Sequence, residues 1–227
     1  MTINDFHLWC LNCVDHQERT KFITNEFNKL EILSDVEFYY AAENNLFIEL
    51  SNHVQTIHTS YYDRLKKYKS GLYGNVLSCL INWYNIMKIS LIRNYDYIMC
   101  FEDDIKFCID RNKLDYILKN LPEDFDIIKF WHSEINEFKN GNYHVGNIKF
   151  NNMQQYNYQN NLWTNKSSIP GNCWFAYSKK AIIRWLNNYD KYIRVADRNI
   201  YYYDNDLNWY YNNYKLCEVN TFKSTIE

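Results

Sequence analysis

Short apolar runs alternate along this chain with longer stretches whose apolar positions recur at helical spacing. Phe6 to Leu11 opens the pattern as a buried strand. Asp15 to Leu30 places Phe22, Ile23, Phe27 and Leu30 close to one helix face. Val36 to Ala42 reads as a second strand, and residues 43–69 carry no clear period. Ser70 to Arg93 has the broadest helical stripe, running from Val76 through Leu80, Tyr84 and Met87. Tyr95 to Phe101 is an apolar strand that stops abruptly at Glu102, Asp103 and Asp104. Asn112 to Asn120 predicts a short helix closed by Pro122. Phe125 to Trp131 and Cys173 to Tyr177 are further buried strands, and Lys179 to Asn188 is a helix. Residues 204–213 read as a helix and Leu216 to Val219 as a last strand.

Strands alternating with helices imply an α/β domain whose mainly parallel sheet is covered on both faces. No repeat or interdomain linker breaks the pattern, so residues 1–227 read as one domain. Residues 133–168, rich in Asn, Gln and Tyr, lack periodicity and mark an insertion or flap.

Composition narrows the function classes. Hydrophobic residues are 47% and charged residues 23%, which excludes wholesale disorder. A net charge of -2 leaves no basic surplus to attract nucleic acid or an anionic membrane. No run of about 18 apolar residues offers a membrane span. The opening Met-Thr-Ile-Asn-Asp has neither part of a secretory signal. A cytoplasmic protein is therefore expected. Aromatics reach 19% and Asn is frequent. AT-rich coding, as in bacteria or large viruses, accounts for this blandly; stacking platforms for sugars or bases are the sharper alternative. Cys10 and Cys13, spaced as CLNC, have no second CxxC or HxxxH to complete a zinc site. All seven cysteines read as reduced thiols.

The chemistry concentrates in Tyr97-Ile-Met-Cys-Phe-Glu-Asp-Asp-Ile-Lys106. In an open α/β sheet, ligands bind outside the carboxyl ends of the strands. Three adjacent carboxylates there repel one another unless a cation or proton intervenes. Carboxylate oxygens suit a hard ion such as Mn²⁺ or Mg²⁺, with diphosphate oxygens completing the shell. Glu102 and Asp104, at i and i+2, point to the same side of an extended backbone. A solvated acidic turn is the plainer alternative.

The segment resembles the glutamate-aspartate-aspartate motif of glycosyltransferase family 25. Gly71-Leu-Tyr-Gly74-Asn-Val-Leu-Ser78-Cys79 is similar to that family's Gly-Glu-x-Gly-x-x-x-Ser-His helix start. Pro170-Gly171-Asn-Cys-Trp174-Phe-Ala-Tyr-Ser178 resembles its Gly-Thr-x-Ala-Tyr-x-Ile-Ser segment. Asn12 to Arg19 is similar to its Asn-Leu-Asp-Arg-Arg opening, and Pro122 to Ile128 to the strand after its acids. The departures are Cys79 for His, Leu72 for Glu, Val14 with Asp15 one place on, and His16 and Gln17 for the basic pair. They bear on nucleotide and donor-sugar preference more than on fold.

The resemblance implies a GT-A-like, Rossmann-like fold, a UDP-sugar donor, a divalent cation and inversion at the anomeric carbon. It implies metal ligands at Glu102, Asp103 and Asp104, with Asp103 also facing the nucleotide. Asn12, Arg19, Gly71, Gly74 and Ser78 would line the nucleotide. Glycines at a helix start suit close approach of a phosphate, and an ordinary cap is the alternative. Gly171 and Trp174 would meet the acceptor. Inverting transfer needs a general base, for which Asp204, Asp206 and Asp197 are candidates, the first two matching the family's distance to the last strand better. His132 is a second-rank base, ligand or substrate contact. The expected reaction moves the sugar to a hydroxyl of a glycan or protein acceptor. A non-catalytic sugar-binding or assembly module on the same fold is the first alternative. A metal-dependent phosphoesterase or nuclease is the second.

Overall fold

The computed structural model describes residues 1–12, 16–40, 70–131, 163–165, 173–188, 207–212, 215–220 and 222. In chain order they form β1 (His7–Asn12), α1 (Gln17–Lys29), β2 (Val36–Tyr40), α2 (Ser70–Ile92), β3 (Tyr97–Glu102) and β4 (Ile105–Phe107). There follow α3 (Arg111–Lys119), β5 (Ile127–Lys129), β6 (Trp163–Asn165), β7 (Trp174–Ser178), α4 (Lys179–Asn188), β8 (Trp209–Asn212) and β9 (Cys217–Val219).

Seven strands make one sheet in the order β2-β1-β3-β7-β5-β8-β6. β1 is parallel to β2 and to β3, and β5 is parallel to β8. β7 runs antiparallel between β3 and β5, and β6 runs antiparallel on the edge. Most strands therefore share one direction, as the alternating pattern predicts. The carboxyl ends of β1, β3, β5 and β8 lie along one edge, and so does the amino end of β7.

Strand alternation feeds two cores. On one face Leu8, Cys10, Met99, Phe101 and Ile128 pack with Ile23 and Phe27 of α1 and Leu114, Ile117 and Leu118 of α3. On the other, Trp9, Ile98, Cys100, Ile127 and Phe175 pack with Trp83, Ile86 and Met87 of α2 and Ala181, Ile182 and Trp185 of α4. Leu114, Ile117 and Leu118 stand at i, i+3 and i+4, so one stripe of α3 is apolar. Asp110 starts that helix, its Oδ1 accepting from the Lys113 N–H at 2.8 Å. α1 stops at Glu31, whose φ of 56° is left-handed, and Ile32 N–H returns to Phe27 C=O. Arg111 donates to the Leu30 and Glu31 carbonyls beyond the helix end.

Several sequence expectations change here. Residues 209–212 are β8, not part of a helix. Their aromatic side chains favour a pleated surface, and Trp209 and Tyr210 are buried against opposite faces of the sheet. Residues 163–165, expected in a flap, form an edge strand on β8. The rest of 133–162 and 166–168 lies outside the described residues. β4 is a short strand that the acid run conceals, and its partner is β9.

The edge opposite the acids is tied by Asp126, at the amino end of β5. Its buried carboxylate accepts from Ser178 Oγ at 3.0 Å, Lys180 Nζ at 2.7 Å and the Asn208 N–H at 3.0 Å. Three strands thus share one anion. Asp126→Ala should cost about 2–3 kcal/mol in urea unfolding, because it orphans these donors while the Lys180 ammonium keeps part of its water. A cost under about 0.5 kcal/mol, the usual range of surface changes, would remove that role.

At the same edge His7 stacks on Tyr95 at 4.0 Å and its Nε2 lies 3.0 Å from Glu37. Burial pushes its pKa below the usual 6.5, against the upward pull of Glu37. The folded protein thus binds this proton less well than the unfolded chain. The stability gained is full above the ordinary His value and is lost as pH falls through the window down to the lowered one. Tm should drop as pH is taken below 6.5, and His7→Phe should flatten that part of the profile. An unchanged profile in the variant would exclude His7 as its source.

Candidate functional site

The acids sit where β3, an interior strand of the sheet, ends. Glu102 is its last residue, and its N–H donates to Cys173 C=O at the start of β7. Asp103 and Asp104 form the turn into β4. β9 braces β4, and the Asn220 N–H donates to the backbone carbonyl of Asp104 at 2.7 Å. The turn is therefore held by main-chain bonds on both sides, independently of its side chains.

Arg19, on the first turn of α1, reaches across to both aspartates. Nη1 lies 2.9 Å from Asp103 Oδ1, and Nη2 lies 3.3 Å from Asp104 Oδ2. Asp103 is 5% exposed, so its charge needs this partner. The guanidinium also lies over the Phe222 ring, 5.4 Å from its centre. Asn12, at the end of β1, donates from Nδ2 to Thr20 Oγ1 of α1 at 2.8 Å. Among the described residues, three buried polar atoms here have no hydrogen-bond partner: Asn12 Oδ1, Arg19 Nε and Asp104 Oδ1. Burial raises the Asp104 pKa, Arg19 pulls it down and Asp103 pushes it up.

The structure brings together Arg19, Asp103 and Asp104, with Asn12 alongside. It does not gather the three acids. Met99 and Phe101 face the α1 side and Ile98 and Cys100 the α2 side. The same alternation assigns Glu102 to the α2 side, away from Asp103. The turn also ends the extended backbone that would have aligned Glu102 with Asp104. Among the described residues no group of three His, Cys, Asp or Glu side chains is placed to hold a metal ion. Asp103 and Asp104 remain as a two-carboxylate set converging on one positive centre.

The other expected site residues separate. Gly71 lies in the first described turn of α2, with Gly74 and Ser78 further inside. The Gly74 N–H is then committed to the helix and is not left for a phosphate. Trp174 is fully buried, stacked on Phe130 at 4.5 Å and on Phe101 at 5.8 Å. Its ring is core and does not offer a face to a sugar. His132, Gly171, Asp197, Asp204 and Asp206 lie outside the described residues. Of the cysteines described, Cys10, Cys79, Cys100, Cys108, Cys173 and Cys217 are all unbridged. Burial pushes the Cys10, Cys100 and Cys173 thiols well above their usual range, so they are not nucleophiles.

Two features escape a reading of the sequence. Phe222 beneath Arg19 has no motif around it. Lys129, 1% exposed in β5, is a cation inside the apolar run Phe125 to Trp131, and that anomaly is its signal.

A mostly parallel α/β sheet with a charged turn at the carboxyl end of an interior strand is consistent with a GT-A-like fold. The chain matches the family model of glycosyltransferase family 25 (LPS biosynthesis protein) over residues 7–214, and it belongs to that family. It is a glycosyltransferase. Comparison with curated proteins gives no match. No described helix is long and apolar enough to cross a membrane.

Proposed function

We propose that this chain is an inverting, metal-dependent transferase. It moves a sugar from a UDP-sugar to a hydroxyl of a glycan or protein acceptor. The observation that carries the proposal is the convergence of Asp103 and Asp104 on one positive centre at the carboxyl end of β3. The donor set fits a hard divalent ion: two carboxylates, one with a buried, unpartnered oxygen. Such an ion, when bound, neutralises charge that grows on a leaving diphosphate.

The protein's own residues supply the rest. Asp103 and Asp104 hold the position, fixed by the main-chain bonds around the turn. Arg19 brings positive charge within reach of a phosphate. Asn12 offers an acceptor oxygen to a donor group of the nucleotide. The base is one of the late aspartates. β8 runs toward the acid edge, and Asn208 just before it is bonded to Asp124 and Asp126 at the far edge. The base is Asp204, Asp206 or Asp197, and the distance along the sequence to the last strand favours the first two. It accepts the hydroxyl proton as the acceptor oxygen attacks the anomeric carbon and the diphosphate leaves.

Calorimetry of UDP with and without Mn²⁺ tests the proposal. Binding that needs Mn²⁺ and is lost in Asp104→Ala is expected. No binding of UDP under either condition would overturn the UDP-sugar reading.

A further inference from the structure

We infer that Arg19 is a resident counter-ion that the divalent cation displaces, and that the freed guanidinium then engages the donor diphosphate. This rests on the reading of the acid turn just given. The oxygens that Arg19 holds, Asp103 Oδ1 and Asp104 Oδ2, belong to the carboxylates a cation would take. A hard cation such as Mg²⁺ binds its oxygen ligands at about 2.0–2.1 Å. On those oxygens it would stand close to a guanidinium held at 2.9 and 3.3 Å, and the two positive centres repel. The cation and Arg19 therefore compete for the two carboxylates.

The ion pair is also incomplete on both sides. Asp104 keeps a buried oxygen with no donor, and Arg19 keeps a buried Nε–H with no acceptor. A finished structural salt bridge would satisfy both. What the carboxylate side lacks is a cation, and what the guanidinium side lacks is an anion. A divalent ion carrying a diphosphate supplies the two together. Phe222 gives the guanidinium a face to slide on, since a ring attracts the charge without fixing it to one acceptor. Metal and nucleotide must then bind cooperatively, because each pays part of the cost of parting Arg19 from the acids.

The test measures Mn²⁺ binding to the full chain by the paramagnetic resonance of free Mn²⁺, with and without UDP. Arg19→Ala is expected to bind Mn²⁺ alone about tenfold more tightly than wild type and to show a smaller enhancement by UDP. Arg19→Ala that binds Mn²⁺ alone no more tightly, or that keeps the full enhancement, overturns the inference. If Arg19→Ala does not fold, Arg19→Lys decides. Its ammonium keeps the charge but cannot fork across two carboxylates. It should bind Mn²⁺ alone more tightly than wild type by a smaller factor, and no gain overturns the inference. Wild type that binds no Mn²⁺ even with UDP marks a different failure: the acid-turn reading itself falls, and the inference with it.

Discussion

Asp104→Ala is expected to lower kcat/KM for sugar transfer by about 10³-fold while leaving the protein folded. The side chain is the more accessible of the two that meet Arg19, at 18% against 7% for Asp103. Its main-chain position does not depend on its carboxylate, because Asn220 holds the carbonyl and β9 holds the strand that follows. Burial is the largest cause of its raised pKa, with Asp103 adding and Arg19 opposing. A carboxylate whose folded-state pKa is raised costs stability as pH rises through that pKa. Removing it at neutral pH therefore relieves the fold, and Tm should stay level or rise. The combination to look for is lost turnover with retained or improved stability. Activity within tenfold of wild type would remove Asp104 from the site.

Trp174→Ala should cost about 3–5 kcal/mol, the usual range for emptying an aromatic-sized core position. The ring sits among Phe101, Phe107 and Phe130, with no exposed surface. Turnover should fall with the folded fraction alone, and the acceptor KM should not move. Trp174→Phe keeps most of the volume and should recover much of the stability. A stable Trp174→Ala with a raised acceptor KM would return the ring to the substrate. Measuring unfolding and KM on the same preparations separates the two.

Much of the scaffold is legible in the residues, for reasons that differ by element. α4 runs from Lys179 to Asn188, as its spacing predicts, and α2 ends one residue short of the expected Arg93. Long periodic stretches carry their own evidence. β4 does not, because Ile105 to Phe107 is three residues long and its partner β9 lies at the other end of the chain. β8 misleads because its aromatics suit either a helix face or a pleat, and only the neighbours β5 and β6 decide. The split of Glu102 from Asp103 is visible in principle: period two through Tyr97 to Glu102 puts them on opposite faces. Treating the three acids as one group hides it. Arg19 is legible as a charge near a phosphate site. Its grip on Asp103 and Asp104 is a tertiary contact, and no local pattern encodes it.

The brace that β9 gives to the acid turn also sets an order of assembly. Asp103 and Asp104 are synthesised before the midpoint of the chain, yet the strand that supports them is Cys217–Val219. Contacts so distant in sequence close late, after the loop entropy between them has been spent. A nascent chain thus carries its acids for half its length before they are held in place, and Arg19 is the only described cation positioned to quench them in the interval. The family match ends at residue 214. A fragment trimmed to that boundary would keep every acid of the turn and lose the strand that makes it one.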